Sequence, residues 1–85
     1  MAKDGEKTIG KGLELLELVG RSRNGLRGKE IAETLGLPVS TVFRQLKFLA
    51  ERGFLRNADG VYTLGGALIR LGNAAMRQNP LSRLV

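Results

Sequence analysis

Residues 28 to 47, GKEIAETLGLPVSTVFRQLK, decide the fold of this chain. Ile31, Ala32 and Leu35 share one side of a short helix, the apolar stripe of an amphipathic segment. Gly36 accepts φ > 0 and closes that helix without a Cβ clash. Pro38 fixes φ ahead of a second helix, and Ser40 is suited to cap its first turn. Val42, Leu46 and Leu49 then recur at helical spacing, so the second helix docks back on the first, with the small Ala32 at the crossing. Two helices joined in this way form a helix-turn-helix, which holds one exposed helix face at a fixed angle, most often toward DNA.

The flanks extend this unit into a larger one. Gly53 ends the second helix as a C′ residue, so the exposed helix spans about 39–52. Phe54 and Leu55 start a strand, Asn57-Ala58-Asp59-Gly60 makes a tight turn, and Val61 to Leu64 return. A β-hairpin in that position, over about 54–64, is a wing. Upstream, Thr8 caps a helix running to about Arg21, with Ile9, Leu13, Leu16 and Val19 as its buried stripe and Leu15 widening it. Leu18 falls nearly opposite, either as a plain exposed leucine or as part of a partner surface. RSRNGLRG, residues 21–28, reads as a loop. Gly65-Gly66 breaks the chain before a helix over about 67–78, stopped by Asn79-Pro80, whose apolar face is Leu68, Leu71, Ala75 and Met76. The fold class is therefore mainly α with a small β-hairpin, a winged helix-turn-helix of three core helices plus a wing, followed by a linker helix. Residues 1–7 are expected to be disordered, residues 8–65 to form the domain, and residues 66–85 to carry the linker helix and the start of a further domain.

Composition narrows the function. The 85 residues suit one small domain, and 14 Lys and Arg against 8 Asp and Glu give a net charge of +6 and point to a polyanionic partner. With no Cys and no His, there is no disulfide framework, no thiolate zinc site and no histidine base, so no metal or cofactor is expected. No apolar run reaches the roughly 20 residues that span a bilayer, and the N-terminus lacks an apolar signal segment, which fits a cytoplasmic protein. Glu14, Glu17, Glu30, Glu33 and Glu51 read as solvated helix-surface charges. No nucleophile has a candidate base and no phosphate-binding fingerprint is complete, so the chain is not expected to be an enzyme.

The residues left for function lie on the second motif helix and around it. With Val42, Leu46 and Leu49 turned inward, Ser40, Phe43, Arg44 and Lys47 occupy the other side, and Val39, Ser40 and Thr41 lie at its leading end. Arg donates two bonds to a guanine edge, Ser and Thr bond base edges or phosphates, and Phe touches a thymine methyl. Phe43 is either an edge-of-core residue or an aromatic awaiting a ligand, whereas Phe48 packs on the opposite flank, toward the wing. Arg27 and Lys29, at the start of the first motif helix, are placed to meet phosphates, and Arg56 and Asn57 in the wing reach the adjacent backbone or minor groove. Asp59 is turn chemistry. Leu18, Leu68, Leu71, Ala75 and Met76 are the candidate dimerisation residues.

In order, KGLELLELV, LRGKEIAETLGLPVSTVFRQLKFLAERGFL and VYTLGGALIRLG resemble the N-terminal winged helix-turn-helix domain of IclR-type bacterial transcriptional regulators over about residues 8–78. The run LGLPVSTVFRQLKFL, the exit Gly53-Phe54-Leu55 and the segment from Tyr62 to Gly72 carry most of the likeness. Gln45 departs from an aliphatic residue usual in the family, and Gly12 from an alanine. The resemblance implies double-stranded DNA with an inverted-repeat operator as partner, a homodimer often paired into a tetramer, and a small-molecule effector bound by a C-terminal domain not contained in these residues. Two rivals stand beside it: a winged helix serving as a protein-interaction module, against which Arg44 and Lys47 argue, and a basic surface for structured RNA.

Overall fold

Leu15, Ile31, Val42 and Leu46 have no exposed surface, and their meeting point sets how three helices pack. The computed structural model describes residues 3–79. Along the chain the elements are α1 (Lys3–Arg21), β1 (Leu26–Arg27), α2 (Gly28–Leu35), α3 (Val39–Glu51), β2 (Leu55–Ala58), β3 (Val61–Leu64) and α4 (Gly66–Gln78). Val19, Ala32, Leu55 and Tyr62 complete the core, the last two contributed by a three-stranded antiparallel sheet in the order β1-β3-β2. The architecture is a winged helix.

The glycines at the helix ends do what their sequence positions anticipate. Gly36 takes φ 68° after α2, and the Leu37 N–H reaches back to the Ala32 carbonyl at 3.1 Å. Gly53 takes φ 82° after α3, with Phe54 N–H bonded to Leu49 O at 2.9 Å and Gly53 N–H to Ala50 O at 3.1 Å. Those paired bonds form a Schellman ending, which points the chain directly into β2.

Several expectations need correction. α1 starts at Lys3, so residues 3–7 are helical where disorder was expected, and Thr8 lies inside the helix instead of capping it. Extending a formed helix adds one hydrogen bond per residue, which favours such growth from a packed segment. The core meets only the later part of α1: Leu15 and Val19 are buried and Leu18 packs against them, while Ile9 and Leu13 are 65% and 55% exposed. Leucines at 13, 15, 16 and 18 occupy every side of the helix, so periodicity alone did not select the buried one. Pro38, not Ser40, stands at the N-cap of α3, its carbonyl accepting the Val42 N–H at 3.1 Å. The 21–28 loop contains β1, whose two residues are too few to show a strand period; Leu26 pairs with Tyr62 and Arg27 with Val61. β2 runs to Ala58, leaving Asp59 and Gly60 as a two-residue turn with φ 53° and 86°, the double positive φ of a type I′ hairpin. Leu81 to Val85 lie outside the described residues.

Candidate nucleic-acid interface

α3 divides by side. Val42 and Leu46 face the core, and Ser40, Arg44 and Lys47 form an exposed stripe on the opposite side. Among the described residues no hydrogen bond or ion pair restrains the heads of Arg44, Lys47, Lys29 or Arg56. Their donors are free to meet an anion. Val39, at the leading end of the helix, is 48% exposed.

The two flanks of α3 are occupied differently. On one, the Phe43 ring lies directly on Gly28: a Cβ built there would sit 2.3 Å from the ring's Cζ. Phe43 is still 42% exposed, so beyond its seat on Gly28 it keeps an available aromatic surface. Gly28 is thus a site-shaping residue that the sequence pattern missed, because no local signal links it to a side chain fifteen positions on. On the other flank, Thr41, Gln45 and Phe48 face α1 across a groove of about 640 Å³, which Ile9, Leu13 and Leu16 line and Arg44 borders. Thr41 is half-buried there, turned away from the Ser40 stripe. Phe48 lines this groove, with the Arg52 guanidinium 4.4 Å above its ring. The side-chain oxygen of Gln45, where an aliphatic residue was expected, is buried without a hydrogen-bond partner.

In the wing, polar residues are tied to one another. Asn57 Oδ1 accepts the Gly60 N–H at 2.8 Å and Asn57 Nδ2 donates to the Tyr62 hydroxyl at 3.3 Å. Asn57 therefore builds the turn, while Arg56 is exposed beside it. Arg27 occupies the N-cap of α2, and its main-chain N–H donates to Glu30 Oε1 at 2.8 Å. Its guanidinium cannot return the bond to α2, having no acceptor; it donates instead to the Asp59 carbonyl at 3.3 Å. Lys29, the second residue of α2, is exposed.

α4 leaves the domain after one packed turn. Ala67 is buried and Leu68 half-buried, whereas Ile69, Leu71 and Met76 are 68%, 54% and 48% exposed and Ala75 is also exposed. Leu18, grouped with them from the sequence, packs against the core instead, so the exposed apolar residues of α1 are Ile9 and Leu13. Among the described residues no helix is long and apolar enough to cross a membrane, and no three His, Cys, Asp or Glu side chains gather as metal ligands.

A core of three helices, a short sheet beside it and a charged stripe along an unobstructed α3 define the winged helix-turn-helix class. A sequence profile of the IclR helix-turn-helix domain matches residues 8–59, more than half of the chain. The chain belongs to that family, a family of DNA-binding domains of transcriptional regulators. It is 28% identical over 81 residues to the transcriptional repressor IclR of Escherichia coli K12, covering 93% of this chain and 30% of that protein. Among solved structures, an IclR family transcriptional regulator from Brucella abortus is 36% identical with a TM-score of 0.74, covering 82% of this chain and 27% of that one. The Thermotoga maritima IclR is 29% identical with a TM-score of 0.77, over 84% of this chain and 29% of that one. The chain thus spans about 30% of the length of the curated relatives it matches.

Proposed function

We propose that this domain reads duplex DNA with α3 in the major groove and the wing beside the flanking backbone. The exposed stripe of Ser40, Arg44 and Lys47, with its cationic heads unpaired among the described residues, carries the reading. Arg44 contacts a base edge, Ser40 a base or phosphate, and the exposed edge of Phe43 a thymine methyl. Val39 borders the contact at the leading end, while Thr41 stands on the flank toward α1. Lys29, Arg27, Lys47 and Arg56 meet phosphates, and Asn57 shapes the turn beside them.

Two copies pair so that two α3 helices address the halves of an inverted repeat. The support is α4, which carries Leu71, Ala75 and Met76 exposed, with Leu68 half-buried at its base. Ile9 and Leu13 take the place proposed for Leu18 on α1. Effector binding belongs to sequence beyond these residues, and no chemical step is assigned to the domain.

Fluorescence anisotropy with labelled random duplex DNA, duplex RNA of equal length and single-stranded RNA, each across a salt series, tests this. Tighter binding to duplex DNA is expected, with log K falling linearly in log salt at about 0.9 per phosphate contact. Equal or tighter binding to either RNA would refute the DNA reading, and no binding to any nucleic acid would favour a protein-interaction module.

A further inference from the structure

Beyond the main-chain pairing of β1 with β3, one long side chain reaches from the start of α2 to the wing tip. We propose that Arg27 is a positioning residue of the interface. Its guanidinium holds the wing turn beside the start of α2 and keeps donors for a backbone phosphate, so that wing and helix meet the backbone as one block. The inference rests on the reading above, in which the wing lies along a nucleic-acid backbone.

Arg27 has a fixed root. Its main chain is paired with Val61 of β3, the next residue begins α2, and its N–H is held by Glu30 Oε1. The head then crosses to the turn, where Nη1 donates to the Asp59 carbonyl, a contact between residues 32 apart in sequence. The same placement brings Nη1 close to Gly60, where a Cβ would sit 2.9 Å from it. The other side-chain bonds of the turn are internal: Asn57 holds Gly60 and Tyr62, which keeps the hairpin's shape without setting its place relative to α2.

Charge makes the same residue useful on a polyanion. Asp59 is the only carboxylate between Leu55 and Leu64, and it stands at the tip that would approach phosphates. A guanidinium on the Asp59 main chain offsets that charge where repulsion would be greatest. Arg has five N–H donors in a planar fork, and Asp59 takes one of them. A lysine places a point charge there but lacks the fork that serves two acceptors at once.

The test uses the ¹⁵N-labelled 85-residue chain as wild type, Arg27→Ala, Arg27→Lys and Arg56→Ala. Without nucleic acid, Arg27→Ala should shift the Asp59, Gly60 and Val61 amides and lower their heteronuclear NOEs, with the α1 and α3 amides unmoved. Arg27→Lys, which keeps one donor for the Asp59 carbonyl, should return the tip amides toward wild type without the fork that also serves a phosphate. On random duplex DNA, Arg56→Ala should reduce the salt slope by the ~0.9 of one phosphate contact, and Arg27→Ala by more, because the wing's other contacts loosen with it. Unshifted wing amides in Arg27→Ala overturn the hold. A slope loss equal to that of Arg56→Ala reduces Arg27 to an ordinary phosphate contact and overturns the single-block proposal. If the wild-type chain binds no duplex at any salt, the DNA reading itself falls and takes the phosphate role with it, while the amide shifts still decide whether Arg27 holds the wing.

Discussion

Gly65 and Gly66 are neighbours of opposite consequence, and alanine at each should move stability in opposite directions. Gly65 has φ −97° and ψ 173°, extended backbone open to any residue, so its requirement for glycine is one of space alone. A Cβ there would lie 2.3 Å from the Gly53 carbonyl oxygen, 3.0 Å from its carbon and 3.1 Å from the Leu55 nitrogen. All three are main-chain atoms. Gly53 is itself held in the ending of α3 and accepts the Ala67 N–H at 3.0 Å, while Gly65 donates to Phe54 O at 2.9 Å. Admitting a methyl to ordinary contact near ~3.5 Å pushes the two segments apart by roughly 1 Å. It strains both hydrogen bonds, each worth about 1 kcal/mol, and adds an overpacking cost of about 1–3 kcal/mol. A loss of roughly 2–3 kcal/mol in a domain this small lowers Tm by about 8–24 °C, at ~4–8 °C per kcal/mol.

At Gly66 a Cβ meets nothing nearer than Arg70 Nη1 at 4.0 Å. Gly66→Ala should therefore stabilise by about 0.4–1 kcal/mol, chiefly by restricting the unfolded chain, and raise Tm by a few degrees. Thermal melts followed by far-ultraviolet circular dichroism compare the two variants with wild type. A Gly65→Ala melt coincident with wild type, or a Gly66→Ala melt below wild type, would refute the steric reasoning.

Three further outcomes follow from the interface. Arg44→Ala should cost roughly 1–3 kcal/mol of discrimination between an operator selected from random duplexes and the random pool itself; equal losses on both would make Arg44 a phosphate contact. Gly60→Val forces a β-branched residue to φ 86° at the wing tip, so helical circular dichroism should survive while duplex affinity falls, and unchanged affinity would remove the wing from the interface. Leu71→Glu places a charge on the exposed apolar side of α4, and analytical ultracentrifugation with and without operator should show weakened pairing; a wild-type chain that stays monomeric and binds single half-sites without cooperativity would refute pairing through α4.

The helix-turn-helix and the hairpin were legible because their punctuation is local. Gly36 and Gly53 sit where a left-handed residue ends a helix, and Asp59-Gly60 where a type I′ turn needs two positive φ values. β1 escaped because two residues carry no period, and its pairing is set by β3, thirty-odd positions away. The buried side of α1 escaped for the opposite reason, an excess of leucine. What chose Leu15 over Leu13 was the place where α1 crosses β3 and α2, a tertiary fact with no trace in the helix's own period.

The same distinction between local and distant partners sorts the interface residues. Arg44, Lys47, Lys29 and Arg56, proposed as contacts from their type and position, have heads that no described residue claims. Arg27 and Asn57 have the same contact chemistry, but the fold already uses it, on Asp59 in one case and on Gly60 and Tyr62 in the other. Phe43 lies between these groups, seated on Gly28 with its outer edge still exposed. A wing ordered by its own hydrogen bonds before binding loses less conformational freedom when it docks than a free hairpin would. On the proposed reading, the side chains that stay free on α3 would be the ones left to distinguish one sequence from another, while the pre-ordered wing would add contact without adding choice.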